Sequence, residues 1–271
     1  WNYGANGIAC QAVDIKVFAV EMVLVPGGSF QVGDGTTTSV QGQFRNGSTN
    51  TPLTISSENA LTLGGSANGN LANNNASVMN TADDFNNTTT QTLPAAFPKG
   101  FNAFYCMKYE ISQGQYRDFL NVLAYTQQVS RTTAAPNSAA GTGALSNANR
   151  NGLDIQTPGN ATTFVSAVYG SNLNGNGTYN ESVDGENIAC NFLSWMDGAA
   201  FADWAALRPM TELEFEKACR GTLTPLANEF AWGTISITGA TGISNSGAND
   251  EVASNTGANA AFNNNANVSG P

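Results

Sequence analysis

The chain has 271 residues, a formal net charge of −10, and only 11% charged residues beside 41% hydrophobic ones. An average soluble domain is roughly one quarter charged, so the polar surface here must come from Asn, Thr, Ser, Gln and Gly. Ten Lys and Arg in all are too few to cluster against phosphates, which argues against nucleic acid and against an anionic membrane surface as partners.

There is no histidine. The commonest general base and the commonest transition-metal ligand are therefore missing. Ser-His-Asp triads, Cys-His dyads and His-built zinc sites are excluded within this chain. The four cysteines, Cys10, Cys106, Cys190 and Cys219, form no CxxC pair. A zinc ribbon or thioredoxin motif is not expected, and free buried thiols and disulfides both stay open. No run is apolar and long enough to span a membrane, and no signal peptide is visible. The opening "WNYGANGIAC" lacks an initiator Met, and residues 1–19 read as the end of a preceding β segment or a linker. The closing "NVSGP" reads as an interruption, which makes the chain a piece of something longer.

Taken in order, "DIKVFAVEMVLVP" is β-rich, and Gly27-Gly28 turning it into "SFQVG" predicts a hairpin over 13–33. Residues 34–98 are Asn-, Thr- and Gly-rich and weakly patterned, as surface loops or an insertion would be, with scattered Leu, Ile and Phe to pin them. Phe101 to Tyr109 reads as a strand. Ser112 then caps a helix that places Tyr116, Phe119, Leu120 and Leu123 on one face. Residues 125–188 form a second Asn- and Gly-rich insertion. Next comes "CNFLSWMDGAAFADWAAL", a helix with a Ser194/Asp197 capping box and Trp195, Ala199, Phe201, Trp204 and Ala205 for packing. A third helix follows over "TELEFEKACR", with a Thr211/Glu214 capping box and Gly221 as its stop. Leu213, Phe215, Ala218 and Cys219 are its expected inward face. Its early Glu and late Lys and Arg suit the helix dipole.

In order, "VEMVLVPGGSFQVG", "YEISQGQYRDFLN", "SWMDGAAFADWAALRPMTELEFEKACRG" and "FAWG" resemble successive motifs of the formylglycine-generating enzyme family, whose members carry sulfatase-modifying-factor domains. The match is nearly continuous over 194–221 and spans 20–233. The Asn-rich stretches are insertions in a style similar to Bacteroidota surface proteins. The resemblance implies an α+β, C-type-lectin-like fold: two main helices on small antiparallel sheets with long irregular loops. The domain would run over 20–271, with insertions at about 34–98 and 125–188 and the C-terminal part of the family domain missing.

The family's founding enzyme is a copper-dependent oxidase that uses a late cysteine pair, beyond a Gly-Asn-x-Trp-Glu motif. After Trp232-Gly233 this chain has neither. The related iron enzymes need histidines, and there are none. The resemblance also implies calcium after the Trp-Gly motif, with the Asn259 side chain and the Ala260 carbonyl as candidate ligands. The acidic pairs Asp83-Asp84, Asp184/Glu186 and Asp250/Glu251 read as solvated loop acids rather than acid–base couples. Asn-x-Ser/Thr sequons stand at Asn46, Asn75, Asn86, Asn87, Asn160, Asn176, Asn180 and Asn267 and would be glycosylated only in a source that does so. The expectation is therefore a non-catalytic, secreted or cell-surface protein. It would use the scaffold for self-association, as in a filament or surface layer, or to bind a surface glycan or protein. Two alternatives remain: an oxidase whose catalytic part lies outside this chain, and a calcium-dependent glycan-binding module.

Overall fold

The computed structural model describes residues 16–34, 43–73, 90–230 and 232–259. Strands and helices alternate irregularly. In chain order they are β1 (Met22–Val25), β2 (Phe30–Val32), β3 (Phe44–Asn46), β4 (Leu53–Ile55), β5 (Leu61–Gly64), β6 (Leu71–Asn73), β7 (Thr90–Leu93) and β8 (Phe104–Met107). Then follow α1 (Gln113–Leu120), α2 (Tyr125–Val129), β9 (Leu153–Thr157), β10 (Val168–Ser171), α3 (Trp195–Trp204), α4 (Glu212–Arg220), β11 (Ile243–Ser244) and β12 (Val252–Ala253). Among the described residues four helices lie on small sheets, mostly two-stranded, joined by long irregular connections, so the fold is α+β.

The three capped helices form where the local signals place them. Ser112, Ser194 and Thr211 each accept from the N3 amide, and the N3 side chain returns to the cap's own N–H. Gly221, at φ +68, stops α4 in a conformation a Cβ would resist. The main core gathers Tyr116, Phe119 and Leu120 of α1, Phe201 of α3, and Leu153, Ile155 and Tyr169 of β9 and β10. The ring of Phe119 meets those of Phe201 and Trp204 at 5.9 and 5.5 Å. The 125–188 stretch, expected as a surface insertion, thus supplies half of this core.

Two expectations fail for a shared reason: distant partners outbid local ones. The residues on either side of Gly27-Gly28 are strands but not a hairpin. β1 pairs with β8 and β2 pairs with β4. The turn is held from outside, by the Gly28 N–H on the Phe101 carbonyl at 2.8 Å. A Cβ on Gly27 would stand 3.2 Å from the Ala103 nitrogen. The described part of 34–98 is likewise no bare loop. It builds β3 to β7, with β3-β6-β5-β7 as a four-stranded sheet, and a second core of Phe30, Val32, Leu53, Ile55, Leu63 and Leu71. Leu213 of α4 closes that core.

α4 itself is turned over relative to its apolar pattern. Leu213, Glu214 and Lys217 are the buried residues, while Phe215, Ala218 and Cys219 face outward. The charges win the interior because each finds a partner there. Glu214 takes two hydrogen bonds from Arg208, at 2.8 and 2.6 Å, and one from the Thr211 N–H at 3.0 Å. Lys217 Nζ donates to the Gly100 carbonyl at 2.5 Å and lies over the Phe30 ring. Lys99, also buried, donates to the carbonyls of Pro94 and Phe97. Burial lowers the pKa of both lysines, with Glu58 opposing. Lys217 thus fastens the 94–101 loop to the helix and to the second core, and Lys99 closes that loop on itself.

Candidate functional site

The described cysteines, Cys106, Cys190 and Cys219, are free thiols. Cys190 packs against the main core, and burial, helped by the Asp197 charge, pushes its thiol up to about 12. Burial and the neighbouring Glu216 also raise the Cys219 thiol. Neither setting is the electropositive one that activates a thiolate. Cys10 lies outside the described residues. Among the described residues no three His, Cys, Asp or Glu side chains cluster as metal ligands.

The calcium candidates are only partly described. Asn259 clamps the chain onto 236–238: its Oδ1 accepts from the Thr238 N–H at 2.7 Å and its Nδ2 donates to the Ser236 carbonyl at 3.1 Å. Ala260 lies outside the described residues, as do Asp83, Asp84 and the sequons at Asn75, Asn86, Asn87 and Asn267. The remaining acidic pairs are split between different tasks. Glu186 pairs with Arg117 while Asp184 is buried and accepts from the Glu181 N–H. Glu251 pairs with Arg150 while Asp250 accepts from Asn245.

The concavity that sequence reasoning missed lies where the β9–β10 ribbon meets the loops at 140–152 and 172–179. It is an open polar cleft of about 590 Å³, within the ~300–1,000 Å³ of small-molecule sites. Asn147, Asp154 and Tyr179 line it, with Arg150 and Asn172 at its sides. Glycines set its shape. A Cβ on Gly152 would stand 2.7 Å from Leu173 Cα, and one on Gly170 would stand 2.7 Å from the Tyr179 ring. Gly170 therefore lets Tyr179 approach the strand closely. Burial and the nearby Asp154 raise the Tyr179 phenol.

The walls are braced from behind. Buried Gln113 of α1 donates to the Arg150 carbonyl and accepts from the Gly152 N–H, both at 2.8 Å. These bonds hold Asn149 and Arg150 at positive φ, +52 and +63, a costly conformation for residues with side chains. The Asn172 amide donates to Asp154 Oδ2 at 2.9 Å and accepts from the Gly177 N–H at 3.1 Å. Burial raises the Asp154 carboxyl, and the Asn172 hydrogen bond partly offsets that rise.

A second groove, more apolar and about 560 Å³, runs along the outward face of α4. Phe215, Cys219, Leu223, Phe230 and Trp232 line it, and the Phe230 and Trp232 rings stack at 4.7 Å.

Comparison with known proteins decides the family. The model of the sulfatase-modifying factor enzyme 1-like domain matches residues 14–268. The chain belongs to that family. No curated protein and no solved structure matches it. The motif resemblance at 194–221 thus extends to nearly the whole chain, insertions included. Within this sulfatase-modifying-factor-like domain, α4 is a structural helix with a buried carboxylate and a buried ammonium, Glu214 and Lys217, and the polar cleft lies among the Asn- and Gly-rich loops.

Proposed function

We propose that this sulfatase-modifying-factor-like protein is a non-catalytic, secreted or cell-surface module that works through binding and self-association. The use of its charges carries the reading. Six cations, Lys108, Arg117, Arg131, Arg150, Arg208 and Arg220, sit in ion pairs, and Lys99 and Lys217 are buried on carbonyls. Eight of the ten Lys and Arg are thus committed to partners within the chain, which leaves few cations for an acidic ligand. Beside exposed acids such as Glu110, Asp203 and Glu212, the surface presents amides, hydroxyls and large apolar groups: Trp195, Met196, Phe215 and Leu223 are all more than half exposed. Large apolar side chains exposed among amides and hydroxyls suit contact with a partner or a second copy, against the repulsion of a net charge of −10. The raised thiols of Cys190 and Cys219 suit a structural role for those two residues. Among the described residues no helix is long and apolar enough to cross a membrane.

Sedimentation velocity over a hundred-fold concentration range, with binding to panels of glycans and surface proteins, tests the proposal. Concentration-dependent association that Phe215→Asp abolishes, or a retained ligand, supports it. A strict monomer that retains nothing overturns it.

A further inference from the structure

We propose that the cleft between 140–154 and 172–179 is a binding site for a neutral saccharide and takes it without calcium. The inference deepens the binding reading above and rests on it. Three features converge. The first is a floor: Tyr179, seated against Gly170, offers an aromatic surface in an otherwise polar cleft. Aromatic rings pair an apolar face with a polar tip, which suits ligands that present C–H and hydroxyl faces together.

The second is a pair of uncommitted polar groups. Asp154 uses Oδ2 for Asn172, and its Oδ1 takes no hydrogen bond among the described residues. Asn147 is exposed and its amide makes no hydrogen bond to the described residues, although every other asparagine of the cleft is engaged internally. The two lie next to each other through Gly143. Gly143 bridges to Asp154, and Asn147 Oδ1 packs on the Gly143 backbone. A carboxylate accepts two hydroxyl protons, and an amide donates and accepts at once. Adjacent ring hydroxyls match that set.

The third is the charge. The cation of the cleft, Arg150, is held by Glu251 and Ser246, which leaves no free positive group for a carboxylate, sulfate or phosphate. Acidic sugars meet Asp154 unpaired. Calcium needs six to eight oxygen ligands, usually with several carboxylates, and among the described residues Asp154 is the one carboxylate lining the cleft. The ligand is therefore uncharged, and the site reads it by hydrogen bonds and stacking.

The test uses the full chain and a panel of malto-, cello-, manno- and xylo-oligosaccharides, with uronate oligomers as the acidic comparison, read by saturation-transfer NMR and calorimetry. At least one neutral oligomer binds, uronates do not, and EDTA leaves the affinity unchanged. Asn147→Ala weakens binding at least fivefold with no change in melting temperature, since that amide supports no internal hydrogen bond. Asp154→Asn, which keeps an oxygen for Asn172, weakens it tenfold or more. Tyr179→Phe binds and Tyr179→Ala does not. The inference is overturned if no neutral oligomer binds, if EDTA abolishes binding, or if Asn147→Ala binds as the parent does. Should no saccharide bind while the protein still self-associates through the Phe215 face, the saccharide site falls and the non-catalytic binding reading stands.

Discussion

Replacing Glu214 by Ala removes the N3 half of the α4 capping box and the two bonds from Arg208. The Thr211 N–H loses its acceptor, which costs about 1 kcal/mol on the scale of helix caps. The Arg208 partner is 55% exposed, so its bonds must be discounted for solvent, and about 1 kcal/mol remains for the pair. The sum, about 2 kcal/mol, corresponds to a fall of roughly 4–8 °C in Tm for a domain of this size. Glu214→Gln keeps an acceptor for Thr211 and loses only the charge, so it falls by about half as much. The pH dependence separates the two contributions. Burial pushes the Glu214 carboxyl up, but Arg208 and Thr211 outweigh it, and the net pKa lies below the ordinary value. A depressed carboxyl stabilises the fold above its unfolded pKa of roughly 4.3 and loses that contribution as pH falls through the folded value. The gap between the parent and Glu214→Gln should therefore be full at pH 7 and close below pH 4. Thermal unfolding by circular dichroism at pH 7, 5 and 3.5 measures it. A Glu214→Ala protein as stable as the parent, or a Gln gap equal at all three pH values, refutes the buried ion-pair account of α4.

Other outcomes follow from the same geometry. Asp197, capping α3 through Ser194 and paired with Arg131 at 3.0 Å, has a lowered carboxyl despite its burial. Asp197→Ala should cost about 2 kcal/mol at pH 7 by urea denaturation, with less loss in acid. Gly170→Ala drives a methyl into Tyr179 and should destabilise by about 1–3 kcal/mol, visible as a shifted Tyr179 ring resonance. Native alkylation at pH 8 followed by mass spectrometry should leave Cys190 unlabelled, because its thiol is buried and pushed to about 12. Rapid labelling of Cys190 would show that the main core is open there.

The cap at Ser112 and the capping boxes at Ser194 and Thr211 were legible because each is closed within four residues, and the three helices start where they predict; the return bond from Gln115 at Ser112 came only with the structure. Strand pairing was not: the partner of Val23 is Cys106, far along the chain, and no local signal names it. The inward face of α4 was misread because apolar periodicity favours Phe215. The carbonyls of Gly100 and Phe101 that reward a buried Lys217 belong to another loop. The polar cleft was hidden for a related reason. Asn147, Asp154 and Tyr179 are ordinary loop and strand residues until β9 pairs with β10 and Gly143 bridges to Asp154. One faint signal existed: Gly170 inside the strand "VYGS" marks a close approach, and the approaching group is Tyr179.

The claim that this family member works by binding and not by oxidation meets its most direct test in an aerobic assay. A cysteine-bearing sulfatase peptide is incubated with the copper-loaded protein, and aldehyde formation is followed by mass spectrometry. The charge and thiol environment predict no aldehyde beyond that formed by free copper. Multiple turnovers per protein chain, lost on replacing its cysteines by Ser, would contradict it.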